Sequence, residues 1–405
     1  MASLTRWECA IAGALVVLLA VAVPLAVRPS LLGDGGERGQ AVRVLLDERA
    51  RAILAHDRQA FLATVDPQDA TLRRQQLAFF EGTKDLPLSV WRYDLADSRF
   101  ASGQTWVPGL TLRFALAGFD AEPVAREHAL RFVRRDTRWY VGAHTQAPRV
   151  RQLWDGGPVT VHRARSCLVL AHPAGAQLAK DVLAACERAV PRVTGVWGTG
   201  WSQRVVVQIP DSAAELSSLV PIAGDLRQIA AIATSELQAG SGAVPRSFAD
   251  RVQINPETFS TLSAAGREVV LRHEITHVAS RSVTGPDTPE WLVEGLADYV
   301  GYLGSGIPDA VSAQELRADV RDGRLPAGLP LDADFTGTRG DLPQVYEQSW
   351  LAVSLVAKRF GLPALLQLYR AAGEQGLDPA LRAALGIDTA ELTAAWRDDL
   401  RRRFR

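Results

Sequence analysis

Apolar positions change period along the chain, and the changes divide it. After the Gly-rich polar stretch 33–39, apolar residues recur at helical spacing over 41–55, with Val42, Leu45, Leu46, Ile53 and Leu54 on the repeat. The helical register continues through 57–65 and returns over 69–81. The period then falls to two: 88–95, 107–116, 124–134 and 138–144 alternate, with turn residues between them, and are predicted as strands. Pro148, Asp155, Gly156, Gly157 and Pro158 mark a break. Beyond it a strand is predicted over 167–171, a helix over 174–193, and strands over 204–209, 229–234 and 251–254. A helix follows over 267–281. After Glu294 the pattern is helical throughout, over 313–322, 343–360, 363–372 and 389–403.

This order predicts an α+β protein. Its parts are an N-terminal segment 1–32, a linker 33–40, an α+β domain 41–148 and a larger domain 158–405. The segment 10–27 is an apolar run of about bilayer length. It exceeds the usual signal-peptide core, and no clean small-residue cleavage site follows. The expectation is an N-terminal transmembrane anchor, making the membrane a partner and leaving the domains outside the cytoplasm. Secretion after cleavage is the alternative.

Composition changes this picture little. Forty-five basic residues balance forty-five acidic ones, so no net charge draws the chain to nucleic acid. Lys84, Lys180 and Lys358 are the only lysines, a bias that points to a GC-rich bacterial genome. Cys9 lies at the edge of the apolar run. Cys167 and Cys186 allow either a disulfide or two buried thiols.

The strongest chemical signal is His273-Glu274-Ile275-Thr276-His277, followed seventeen positions later by Glu294. Two histidines four apart on a helix share a side, so one metal ion can take both. Three protein ligands leave a position for water, whose pKa a zinc ion lowers. Glu274 is placed to take the proton. The run Asp287-Thr288-Pro289-Glu290 predicts the start of a second helix, on which Glu294 and Asp298 share a face. His56, His128 and His144, in the N-terminal domain, lack ligand spacing.

Around these residues, the stretch from His273 to Tyr302 resembles the peptidase MA-like branch of the gluzincin metallopeptidases, which pairs H-E-x-x-H with W-L-x-E-G-x-A-x-Y. The resemblance implies a zincin-like fold: a mixed sheet and active-site helix, then a helical lobe, with a cleft between. It implies His273, His277 and Glu294 as Zn2+ ligands, Glu274 as general base and Asp298 as hydrogen-bond partner of a ligand histidine. The connection from His277 to Glu294 is shorter than in the thermolysin-like and aminopeptidase groups. In zincins an edge strand pairs with extended substrate; 229–234 and 251–254 are the two candidates. Residues 41–148 resemble the NTF2-like cone, in which a curved sheet wraps a long helix.

The expected activity is zinc-dependent hydrolysis of peptide bonds, with a peptide or protein as substrate. The alternative is a binding or scaffold protein that works through the NTF2-like domain, with an idle zincin platform. For the oxyanion donor three tyrosines come into question: Tyr299, Tyr302 and Tyr346. A Tyr-x-x-Ser stretch like that beginning at Tyr346 recurs in sequences resembling this family, so Tyr346 is the expected donor.

Overall fold

The computed structural model describes residues 36–404, apart from 103, 145–149, 221–225, 239–245 and 336–340. The N-terminal unit begins with three helices, α1 (Glu37–Leu54), α2 (Arg58–Ala63) and α3 (Ala70–Thr83). The side chains of Asp57 and Asp69 cap α2 and α3 by accepting from Ala60 N and Leu72 N. An antiparallel sheet follows, made of β1 (Leu88–Ser102), β2 (Thr105–Leu116), β3 (Val124–His128), β4 (Leu130–Arg135) and β5 (Arg138–His144). The stretch 124–134, read from sequence as one strand, is two: β3 pairs with β2, and β4 pairs with β2 and β5. Alternation lapses at this break, where Arg126, Glu127 and His128 are polar in succession and Ala129 and Leu130 apolar.

The second sheet has the order β6 (Thr160–Arg163), β7 (Cys167–Ala171), β8 (Val205–Ile209), β10 (Arg246–Ile254), β9 (Ala231–Gln238). Strands β7, β8 and β10 run parallel, and the outer strands β6 and β9 are antiparallel to their neighbours. All residues of β7 and β8 are buried, because both faces are covered. Leu168, Leu170 and Val206 face the N-terminal unit, in one cluster with Trp91, Phe114 and Trp154. Cys167, Val169, Ala171, Val205, Val207 and Ile209 belong to the main core with α4 (Ala176–Trp197). Cys167 and Cys186 are joined as a disulfide between β7 and α4. The described part of the expected boundary, 150–158, includes packed residues: Trp154 is 1 % exposed and meets Phe114 edge-on at 4.9 Å.

Short helices α5 (Ala213–Leu219) and α6 (Pro256–Thr261) flank the sheet, and α7 (Ala264–Ser280) crosses behind it. Ser263 caps α7 through Gly266 N. Every residue of α7 from 269 to 280 is buried. The helical lobe comprises α8 (Glu290–Tyr302), α9 (Asp309–Ser312), α10 (Gln314–Arg321), α11 (Leu342–Phe360), α12 (Leu362–Gln375), α13 (Leu377–Leu385) and α14 (Thr389–Phe404). Helix α8 starts where its sequence predicts, but its cap is remote: Glu290 N donates to Asp332 Oδ1 at 2.9 Å, while Thr288 Oγ1 accepts from Gly285 N.

The membrane expectation is corrected. Among the described residues no helix is long and apolar enough to cross a membrane. The longest, α4, carries Lys180, Asp181, Glu187, Arg188 and Arg192, and α11 carries Glu347, Lys358 and Arg359. The expected segment 10–27, with the unit 1–32, lies outside the described residues. The fold class is therefore mixed α+β with two sheets, and no described helix supports the anchor expected in it. An anchored location with the domains outside the cytoplasm is withdrawn with it.

Two glycines let α8 approach its neighbours. A Cβ at Gly301 would stand 3.0 Å from Val269 O and 3.7 Å from His273 Cβ on α7. One at Gly295 would stand 2.4 Å from Ser349 O on α11, which only a helix shift could relieve. Gly295→Ala is therefore expected to destabilise the protein by about 1–3 kcal/mol, the usual effect of overpacking. Denaturant melts of the two proteins measure this, and an unchanged midpoint would show that α11 yields freely.

Candidate metal centre

The centre lies in the seam between α7 and α8. On α7, His273 and His277 are one turn apart, and the close approach at Gly301 brings α8 alongside. Arg272 fixes the end of α8: its Nη1 donates to Leu303 O at 2.9 Å, and its Nη2 pairs with Glu268. Glu294 is thereby set opposite both imidazoles. Nε2 of His273 and Nε2 of His277 are 3.0 Å apart. Glu294 Oε2 is 3.3 Å from the first and Oε1 is 3.7 Å from the second. The three side chains form a buried group that could hold a metal ion.

The spacing and the unmet bonding both fit an ion. Donor atoms around a tetrahedral ion at about 2.0–2.1 Å stand roughly 3.3–3.4 Å from one another. The three observed separations straddle that value. Apart from the contact with His273, neither carboxylate oxygen of Glu294 has a hydrogen-bond partner of good geometry, although the residue is fully buried. Such a group is costly to leave unpaired. His273 Nδ1 donates to Asp298 Oδ1 at 2.8 Å, which turns the Nε2 lone pair toward Glu294 and His277.

Glu274 is also fully buried, and its two oxygens lack hydrogen-bond partners of good geometry. Burial pushes its carboxyl up to about 7, against the opposing pull of His273, the Ala233 backbone on β9 and Arg281. Burial likewise pushes Glu294 up to about 8. For His273 burial works downward, but the charge and hydrogen bond of Asp298, with Glu294 and Glu274, hold it well above its ordinary range. His277 is driven well below, by burial first and then by the charges of His273 and Arg281. Concentrated charge with no outlet to water separates the titrations of these groups.

The structure thus brings together His273, His277, Glu294, Glu274 and Asp298. Tyr346 is buried in α11 with its ring edge-on to Phe335 at 5.5 Å. Tyr302 packs on Trp350 at 4.8 Å, and Tyr299 is half-buried, with burial raising its pKa. Two neighbours of the centre carry no motif and are visible only in three dimensions. Arg281 acts on Glu274 and pairs with Asp250. Tyr369 hydrogen-bonds with Thr284 Oγ1 at 2.8 Å and donates to Ser280 Oγ at 3.3 Å, one turn beyond His277.

A second group, His172, Asp211 and Glu215, also has ligand-like proximity. Its donors are already used: His172 Nδ1 meets Pro158 O at 2.8 Å, His172 Nε2 meets Glu215 Oε1 at 3.0 Å, and Glu215 Oε2 accepts from Asp211 N. It reads as an ion pair that fastens the connection between the two sheets. No protein-family model matches the chain, and no curated protein matches it.

Two outcomes are expected. Asp298→Asn should weaken metal binding by about 10–100-fold, as loss of such a partner does; a competitive chelator titration reads this, and unchanged affinity would assign Asp298 to packing alone. For His172, burial opposes protonation, but the bonds to Pro158 and Glu215 outweigh it and raise the pKa. The stability it adds is therefore complete below its unfolded pKa of about 6.5 and is lost as pH rises through the higher folded value. The Tm gap between wild type and His172→Gln should shrink from acid to alkaline pH; a constant gap would contradict the assignment.

Proposed function

We propose that this chain is a zinc-dependent peptidase of the gluzincin kind, with His273, His277 and Glu294 as the metal ligands. One observation carries the reading: the side chains of His273, His277 and Glu294 converge within reach of a single ion, beside Glu274, a buried carboxylate without a hydrogen-bond partner of good geometry. A structural metal site closes with four protein ligands, whereas three leave room for chemistry. An idle scaffold has no need of the unpaired Glu274, whose burial is costly.

Zinc held there supplies Lewis acidity, which makes water acidic and polarises a carbonyl. Glu274, poised near neutrality, accepts the proton of the attacking water and passes it to the leaving amine. Asp298 keeps His273 in the ligating tautomer. Of the two candidate strands, β9 is the edge of the sheet, and its Ala233 backbone lies beside Glu274. An extended peptide adding to this edge would lay its backbone along the centre. That favours a peptide over a small ester. Tyr346 stays as the proposed oxyanion donor, on the helix that contacts α8 at Gly295.

Glu274→Gln is expected to retain zinc by elemental analysis while peptide hydrolysis falls by about 10²–10⁴-fold. Full activity in that variant would remove Glu274 from the mechanism. Tyr346→Phe should lower kcat by about 10²–10³-fold with zinc retained. Steady-state kinetics decide this, and a kcat near that of wild type would return Tyr346 to the core.

A further inference from the structure

Between the N-terminal unit and Glu274 runs a relay of charges that the proposed chemistry does not use. Asp120, in the turn between β2 and β3, accepts both Nη1 and Nη2 of Arg251 on β10, each at 2.8 Å. Its side chain is wholly buried, and that of Arg251 is 11 % exposed. The turn itself is held by Leu116 N, which donates to Asp120 Oδ2. Next to Arg251, Asp250 pairs with Arg281 (Oδ1 to Nε, 2.6 Å). Arg281 also donates to Ala233 O on β9 and acts on Glu274. A second tie lies further along the same strand pair: both Nη atoms of Arg126 on β3 donate to the carboxylate of Glu236 on β9.

Between the two ties the strands are irregular. Phe248 faces Glu236 and Arg251 faces Thr234, so Ala249 and Asp250 together oppose Ser235 in a β-bulge. Ala249 has φ 52°, a left-handed conformation unfavourable for a residue with a Cβ, and its side chain packs against the hydrophobic cluster of the N-terminal unit. Strain of this kind persists only where the surroundings impose it. Just beyond Ala249, consecutive side chains of β10 reach opposite ways, Arg251 to Asp120 and Asp250 to Arg281. A bidentate arginine–carboxylate pair fixes orientation as well as distance.

We propose that the N-terminal unit is a working part of the cleft: through Asp120–Arg251 and Arg126–Glu236 it clamps the β9–β10 pair, and so sets how the outer strand is presented to an extended peptide. Asp120, Arg126, Glu236 and Arg251 are positioning residues. The clamp stands on the geometry alone; its effect on substrate rests on the peptidase reading.

The test uses the full-length, metal-loaded protein with Asp120→Asn, Arg126→Met and the conservative Arg126→Lys. Amide exchange over 231–238 reports the clamp. Kinetics on a quenched-fluorescent mixture of decapeptides, compared with blocked dipeptide amides too short to pair along the strand, report its use. Asp120→Asn and Arg126→Met should each speed exchange in β9 and raise KM for decapeptides about tenfold. Zinc content, kcat and dipeptide cleavage should hold, and Arg126→Lys should recover much of the loss. Unchanged exchange overturns the clamp. Faster exchange with unchanged KM, or equal losses on long and short substrates, overturns its role in presenting the strand. If wild type cleaves neither substrate, the peptidase reading and the strand-presentation role fall together, while exchange still decides the clamp. Should Asp120→Asn fail to fold, the Arg126→Met and Arg126→Lys pair decides alone.

Discussion

Three carboxylates and two imidazoles, all shut away from water between α7 and α8, form the constraint on which the rest depends. Glu274 and Glu294 are fully buried, and their oxygens find no hydrogen-bond donors of good geometry. A buried carboxylate without a partner is among the most costly features a fold can carry. A divalent cation between His273, His277 and Glu294 would offset most of that cost, and binding free energy of this kind counts as folding free energy. The seam has to be tight for the ligand atoms to meet at all. Gly295 and Gly301 make it tight by letting α8 lie against α11 on one side and α7 on the other.

That tightness explains why the surroundings are so firmly built. Helix α7 is buried on every side, so its position is set by the sheet in front and the helical lobe behind. The sheet is in turn covered on its far face by the N-terminal unit, whose Trp91, Phe114 and Trp154 share a cluster with Leu168, Leu170 and Val206. The N-terminal unit is thus the second wall of the central sheet rather than an appendage. Its ion pairs to β9 and β10 continue the same contact onto the outer strands.

Polar residues near the centre divide by what they meet. Asp298 is answered by His273, and Glu347 by the amides of Glu315 and Leu316 at the start of α10. Those pairs hold helices in place. Glu274 and Glu294 lack donors of good geometry, which sets them apart from that frame.

Local sequence determined a good deal. The H-E-x-x-H spacing puts two imidazoles on one side of a helix whatever the fold, and alternation and helical periodicity marked most strands and helices, because both follow from backbone geometry alone. Tertiary structure decided what depends on distant partners. It showed that β9, and not β10, is the edge strand, that 124–134 is two strands, and that α8 is capped by Asp332 instead of its own Thr288. It joined Cys167 to Cys186, which spacing alone left open. It placed Tyr346 against Phe335, a contact the sequence does not record. The relay from Asp120 to Arg281 is the plainest case: each ion pair crosses the fold, and a charge pair so far apart in the chain leaves no periodic trace in it.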